Sequence, residues 1–394
     1  MFKPVLFLSL VSLIATPALG QDVWDDYSPW EHSMEGEVVL AIASNDKDKG
    51  GESFLGAVSA TGKSTYIFDS GLIVGAVAEL ELQKDHPARA GFAGVGAEYV
   101  GSTPYVSPYS GVSVAPLADH IGPRAQLEKA YLMIEGGYGE LRLGRDEGIA
   151  KQFHVGPEPV LKAVTSANAR LDPLGSLLVR TDHDVTGPAA KATYTTPRIL
   201  GVKAGVSYTP KAEVRGLDRD PARRVAGGPQ ISIEDTWELA LNGSRRLRDS
   251  GLRIEAGAAW STAEVSSGNS VEYGRMTTLS AGLSVSGESW RAGIDHVDSD
   301  NGVRTVMSDY SATSIGVSKQ WGKMSVGVFH ALNRDEYLQI ESDVTSLELG
   351  YVASDDVDIA LAYQDTRVKI LNSAIFGAIS PDKRGVVVEI TRRF

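Results

Sequence analysis

The chain has 394 residues, 42 glycines, 17 prolines, no cysteine and a formal net charge of −12 at pH 7. Without cysteine, neither disulfide bridges nor thiolate metal sites can hold the fold together. The acidic balance argues against nucleic acid as a partner, and by itself it says little about ion selectivity.

The N-terminus predicts a secretory signal. Lys3 is followed by an apolar run over residues 5–15, and the small residues of 18–20 suit cleavage before Gln21. The alternative is an anchoring helix, but a span needs about 20 apolar residues and this run is shorter. We therefore expect a cleaved signal over 1–20 and a single domain over 21–394.

Alternating segments follow along the rest of the chain. In 252–260, for example, Leu252, Ile254 and Trp260 alternate with Arg253 and Glu255. Glycine and β-branched residues in the middle of such segments fit helices badly and strands well. A strand with one apolar and one polar face is typical of a barrel whose outer surface meets lipid.

Sixteen segments share this pattern, and the connections between them alternate between short and long. An outer-membrane barrel has short turns on one side and long loops on the other. The sequence therefore predicts an all-β fold, a transmembrane antiparallel β-barrel of sixteen strands. The predicted strands are 35–43, 53–68, 72–83, 124–135, 139–145, 188–196, 201–209, 233–247, 251–263, 275–286, 288–298, 310–320, 323–333, 342–353, 357–366 and 384–394.

The segment 84–123 is long for a connection without secondary structure of its own. It is rich in Gly, Pro and Ser and contains Tyr99, Tyr105 and Tyr109. Two interpretations stay open. The segment either reaches over a neighbouring subunit as a latch, or contains an extra hairpin that raises the strand count to eighteen.

The last eleven residues form the final predicted strand. Val386, Val388 and Ile390 lie on one parity with Phe394, and polar residues including Glu389 lie on the other. Arg392 also falls on the apolar parity, so the strand must be leaving the hydrocarbon at that point. We expect this strand to close the barrel onto the first one.

Three stretches resemble the Gram-negative general porins. Residues 130–145 (AYLMIEGGYGELRLGR) are similar to that family's fourth-to-fifth strand hairpin, which leads into a long third loop. Residues 192–208 resemble its sixth and seventh strands, joined by a short turn that contains Pro197. The closing R-R-F is similar to the family's terminus, where the final Phe, here Phe394, is read by the barrel-assembly machinery.

The resemblance implies a water-filled, trimeric channel in the outer membrane of a Gram-negative bacterium, surrounded by lipid and lipopolysaccharide. It implies passive diffusion of small hydrophilic solutes and ions. The third loop, here 146–187, would fold into the lumen, and its acids would face basic wall residues across a constriction. A substrate-selective outer-membrane channel is the alternative.

The resemblance places the acidic candidates on the loop: Asp146, Glu147, Glu158 and Asp172, with Asp182 and Asp184 at its returning end. Strand parity directs basic side chains into the lumen, and Arg145 ends the L-G-R strand where the family often has a pore-wall arginine. The basic candidates are Arg142, Arg145, Lys191, Lys203, Arg253 and Arg291. The other interpretation is that these are solvated lumen charges or loop salt bridges.

The sequence favours neither an enzyme nor a cofactor. It contains neither H-E-x-x-H nor G-x-S-x-G, the motifs of zinc proteases and serine hydrolases. Acidic clusters at 25–26, 298–300 and 355–358 could bind Ca²⁺ through carboxylate oxygens, but none has the spacing of a known calcium loop. Solvated acids are the favoured interpretation of these clusters.

Overall fold

A computed structural model describes residues 28–45, 54–86, 89, 105–114, 122–166, 169–212, 231–267, 273–304, 306–371 and 383–394. The proposed signal at 1–20 and the acidic pair at 25–26 lie outside these ranges. Within them, no helix has both the length and the apolar character needed to cross a membrane.

Antiparallel strands make up almost all of the structure. In the first half of the chain they are β1 (Trp30–Asn45), β2 (Phe54–Ile67), β3 (Ile73–Lys84), β4 (Tyr105–Val106), β5 (Ser113–Val114), β6 (Arg124–Gly136), β7 (Gly139–Asp146), β8 (Ala189–Thr195) and β9 (Val202–Ala212). A one-turn helix, α1 (Ile149–Gln152), follows β7.

The second half of the chain continues the same up-and-down order. Its strands are β10 (Ile231–Arg246), β11 (Arg253–Ser267), β12 (Arg275–Ser286), β13 (Trp290–Ser299), β14 (Tyr310–Trp321), β15 (Met324–Asp335), β16 (Ile340–Ser354), β17 (Val357–Ile370) and β18 (Lys383–Arg393). Short and long connections alternate as predicted.

Sixteen of these strands close into one barrel. Each strand pairs with its neighbours in sequence, β3 pairs with β6, and β18 pairs with β1 from Glu37↔Arg393 to Asn45↔Gly385. The short strands β4 and β5 pair only with each other, outside the barrel sheet. The sixteen-strand prediction is therefore confirmed. The extra hairpin exists in segment 84–123, but it does not enlarge the barrel.

The two faces of the closing strand differ as its alternation predicts. Val386 is 40% exposed on the outer face, whereas Val387 and Glu389 are buried inside. Elsewhere the outer face carries large exposed aromatic side chains, including those of Trp237, Trp321 and Tyr351. An apolar outer band with aromatic residues suits lipid contact.

The chain terminus completes the barrel seam through a backbone exchange. The Gly36 N–H donates to the Phe394 carbonyl at 2.8 Å, and the Phe394 N–H donates to the Gly36 carbonyl at 3.0 Å. The Phe394 ring lies over Gly36, so a Cβ at that position would overlap the ring atoms. Because Gly36 has no side chain, the Phe394 ring can pack directly against its backbone.

We expect Gly36→Val to displace the Phe394 ring and weaken the seam, lowering the stability of the folded barrel by about 1–3 kcal/mol, the usual cost of overpacking. The measurement is the temperature at which the folded band is lost in heat-modifiability gels. Gly62→Val is the matched control, because a Cβ at Gly62 meets no atom within 4 Å. Equal melting temperatures for both variants would contradict this account of the seam.

Candidate functional site

The loop 146–187 lies inside the barrel and follows its inner wall. Near its start, Ile149 N–H donates to the Ser207 hydroxyl of β9 at 3.2 Å, and Ala150 N–H donates to Glu238 of β10 at 3.2 Å. The loop then passes along the inner face of strands β11 to β18. The expected third loop is thus present in the lumen.

A row of inward-facing glycines makes room for the outgoing part of the loop. Gly257 on β11 lies against the Phe153 carbonyl, Gly282 on β12 against that of Val155, and Gly293 on β13 against that of Gly156. A Cβ at any of the three would overlap loop backbone. Loop side chains lie against three more inward glycines: Pro157 against Gly316, and Val160 against both Gly327 and Gly350.

Wall carboxylates hold the backbone of the same segment. Glu348 on β16 accepts from the N–H groups of Val160 and Leu161, and Glu389 on β18 accepts from those of Lys162 and Ala163, at 2.8 and 3.0 Å. Hydrogen bonds to a carboxylate are stronger than those between neutral groups. These two glutamates therefore fix the path of the loop.

The far side of the loop is joined to the wall by an arginine. Arg170 contacts Glu37 of β1 at 2.6 Å and Glu81 of β3 at 2.7 Å. The Gln83 side chain donates to the Arg170 carbonyl. Here the base is on the loop and the acids are on the wall, the reverse of the expected arrangement.

The returning part of the loop packs higher in the lumen against β14, β12 and β11. The Tyr310 hydroxyl accepts from Arg180 N–H at 2.8 Å and donates to its carbonyl at 3.0 Å. His183 lies between the hydroxyls of Ser261 and Ser280, at 2.8 and 2.7 Å. Burial lowers the pKa of His183 to about 3, so the imidazole stays neutral.

The β4–β5 hairpin also turns into the chain's own barrel. Tyr109 is fully buried, and its hydroxyl donates to the Asp182 carbonyl at 2.7 Å. The Tyr109 N–H donates to Asn301 at 2.8 Å. The tip at 105–114 therefore does not extend towards a neighbouring subunit. Tyr99, which also belongs to the proposed latch segment 84–123, lies outside the described residues.

The acidic candidates of the loop have different surroundings. Glu158 forms an ion pair with Arg291 of β13, the pairing of loop acid and wall base that the resemblance implies. Asp146, at the end of β7, contacts Arg142 at 3.2 Å, and Glu147 contacts Lys151 at 3.1 Å.

The other three loop acids, Asp172, Asp182 and Asp184, are buried. Asp172 is buried and accepts from Leu177 N–H at 2.8 Å, which takes it out of the lumen surface. Asp184 contacts Lys151 at 3.1 Å. Asp182 is buried beside Tyr109.

The basic candidates mostly face inward. Arg142 lies over the Tyr131 ring and contacts Glu140 at 2.7 Å, and Lys203 lies over the Phe153 ring. Lys191 is buried and donates to Thr186 and Gly187, so it holds the end of the loop. Arg253 and Arg291 occupy inward positions on β11 and β13.

Arg145 is the exception. It pairs with Ala130 of β6 and lies on the outer face of β7, the face that also carries Leu141 and Leu143. Its Nε donates to the Leu127 carbonyl. The prediction that Arg145 lines the pore is therefore wrong. Alternation continues through the last residue of β7, so Arg142 and Asp146 share the inner face and Arg145 does not.

Sequence reasoning missed the residues that attach the loop: Arg170, Glu37, Glu81, Glu348 and Glu389. Alternation in the closing strand did place Glu389 on the inner face, and the same count on β1 would have found Glu37. Nothing in the sequence indicated that these acids meet loop N–H groups or a loop arginine. In the described part of the chain, no three His, Asp or Glu side chains gather closely enough to hold a metal ion.

A family model described as Gram-negative porin matches residues 8–371. The chain belongs to the Gram-negative porin family. Its barrel is therefore placed in the outer membrane, in a family of channels rather than enzymes. Among curated proteins, none is similar enough in sequence to count as a relative.

Solved porins share the fold at low sequence identity. A Salmonella typhi OmpF in complex with daunomycin has a TM-score of 0.58 at 11% identity, covering 92% of this chain and 97% of its own. An anion-selective porin from Comamonas acidovorans has a TM-score of 0.56 at 14% identity, covering 93% and 100%. The outer membrane channel DcaP of Acinetobacter baumannii has a TM-score of 0.57 at 9% identity, covering 93% and 97%.

Placing a larger side chain at one of the inward glycines should narrow the pore. We expect Gly282→Val to push the Val155 backbone towards the barrel axis and to lower the single-channel conductance. The control is again Gly62→Val, which lies on the outer face. An unchanged conductance in the Gly282 variant, with the folded band retained on gels, would show that the loop path does not limit the pore.

Burial of neutral His183 makes stability depend on pH. Because its folded pKa is below the unfolded value, the unfolded chain binds more protons, so stability is lost as pH falls from about 6.5 towards about 3. We expect His183→Gln to lose less stability than the wild type between pH 7 and pH 4. Thermal unfolding in detergent at both pH values measures this, and equal losses would contradict it.

Proposed function

We propose that this porin forms a water-filled channel through which small hydrophilic solutes and ions diffuse passively, without a catalytic step. The observation that carries the proposal is the closed barrel with a loop attached along its inner wall. This arrangement leaves charged side chains on β6 and β7 facing the remaining lumen. Lys129 and Arg142 are each about a quarter to a third exposed there.

The constriction in this proposal is formed by loop 146–187 and the wall of β1–β3, β6 and β7. The support is a set of ion pairs at the loop and on the facing wall. Arg170 joins loop to wall, Lys129 contacts Glu79 at 2.7 Å, and Lys151 contacts Glu147 and Asp184 within the loop. Such fixed charges order water and polar solutes and disfavour apolar ones.

Below the loop, the lumen opens into a recess lined by Glu158, Lys162, Arg291 and the short turns of β12 to β17. Because the short turns of an outer-membrane barrel lie in the periplasm, this recess is the periplasmic mouth of the channel. A polar lining of both signs suits hydrated solutes of either charge.

The functional unit in this proposal is a homotrimer in lipid and lipopolysaccharide, inserted by the barrel-assembly machinery through the terminal strand. One similar structure, an OmpT of Vibrio cholerae, is described as a trimer form; it has a TM-score of 0.55 at 9% identity and covers 93% of this chain and 99% of its own. The exposed Phe394 ring at the seam is the feature that the assembly machinery would read.

A substrate-selective channel is the second candidate. The observation in its favour is that the lumen is well filled. Residues 106–112 of the β4–β5 hairpin and 171–187 of the loop are buried, and apolar side chains among them form a cluster with Met276, Phe329 and Val344 of the wall. A narrow passage would favour one solute shape over others.

Planar-bilayer recording separates the two functions. A diffusion porin should give a steady conductance that rises in proportion to salt concentration, and each trimer should open or close in three equal conductance steps. Current that saturates with one sugar or anion would support the selective channel instead. Absence of any conductance from folded trimers would contradict both.

A further inference from the structure

The inner face of strands β1–β3 is strongly acidic. Register places Glu31, Glu35 and Glu37 of β1 and Glu79 and Glu81 of β3 on this face, with Lys63 of β2 as the one inward base in these three strands. Glu37 is about one third exposed, and Glu35 is exposed. Glu35 and Glu37 therefore meet the lumen solution, whereas Glu79 and Glu81 are less exposed and lie in ion pairs with Lys129 and Arg170.

The neighbouring strands do not offset this charge. On β6 and β7 the inward acids and bases are equal in number, three of each: Glu135, Glu140 and Asp146 against Arg124, Lys129 and Arg142. On the other side, inward-facing Arg393 of β18 contacts Asp358 of β17 at 2.7 Å. The excess of carboxylates thus stays with β1–β3.

The opposite wall is balanced. In a closed ring of sixteen strands, β11–β13 lie across the lumen from β1–β3. Their inward charged residues are Arg253, Glu255, Arg291 and Asp295, two bases and two acids. The lumen therefore has one acidic side and one neutral side.

The loop brings a base to the acidic side. Arg170 lies between Glu37 and Glu81, and one guanidinium charge meets two carboxylates. The loop therefore reduces the negative charge of this wall without cancelling it. A fixed excess of one sign beside a narrow, low-dielectric passage raises the local concentration of the opposite ion.

We propose that the channel prefers cations, and that the wall of β1–β3, not the inner loop, carries the selecting negative charge. The favoured solutes are then small cations and hydrophilic molecules with an amino group. This inference rests on the proposed channel function. A shared fold does not carry selectivity, so the fold match to an anion-selective porin does not oppose it.

The test is the zero-current potential across a planar bilayer with a KCl gradient. We expect the wild type to pass K⁺ more readily than Cl⁻, and the potential to shrink in 1 M salt because charges are screened there. Conductance with an anion-selective or null potential would overturn the inference and leave the channel function intact. Absence of conductance would instead contradict the channel.

Single substitutions test which side chains carry the selecting negative charge. Glu35→Gln and Glu81→Gln should each move the potential towards zero, and Arg170→Gln should move it further in the cation-selective direction. Glu264→Gln is the matched control, because Glu264 pairs with Arg275 on the outer face. The opposite signs expected for Glu81→Gln and Arg170→Gln distinguish a charge effect from release of the loop, since both variants break the same contact.

A shift with Glu158→Gln but none with the β1 and β3 variants would place the selecting charge on the loop and overturn the assignment. Folded-band gels of each variant confirm that the barrel is intact before recording.

Discussion

In hydrocarbon, an unpaired backbone N–H or C=O group costs several kcal/mol, so a membrane-spanning sheet must have no free edge. The β1–β18 ladder meets this constraint, and the exchange between Gly36 and Phe394 extends it to the last residue. Closure also creates the lumen, because every strand then presents one face to lipid and one to the interior. The inner loop, the hairpin and the charged walls all depend on that enclosed space.

The interior is built by fitting a second chain segment against the closed wall. Inward glycines let the loop backbone approach strands β11 to β13 and leave room for the side chains of Pro157 and Val160 at β14 to β16, and carboxylates on β16 and β18 accept loop N–H groups. A polar group removed from water needs such a partner, so buried acids that bind backbone amides are stable where isolated ones would not be. As a result, several lumen acids hold the loop rather than face passing solutes.

Much of the fold followed from local pattern. Alternation located all sixteen barrel strands, and the length of the connections separated turns from loops, because both are properties of short stretches of chain. Parity also placed Arg142, Lys203, Arg253 and Arg291 on the inner face. The same parity puts Arg145 on the outer face, where the resemblance to the porins had implied a pore-wall position.

The amino-acid sequence by itself determined the barrel and which side chains of most strands face inward, since a period of two needs no knowledge of distant residues. The tertiary structure decided that the hairpin in 84–123 adds no strand to the sixteen of the barrel. Only the tertiary structure decided which charges meet. Arg170 is 133 residues from Glu37 and 89 from Glu81. Contacts at such separations depend on barrel closure and on the path of the loop, and local pattern encodes neither.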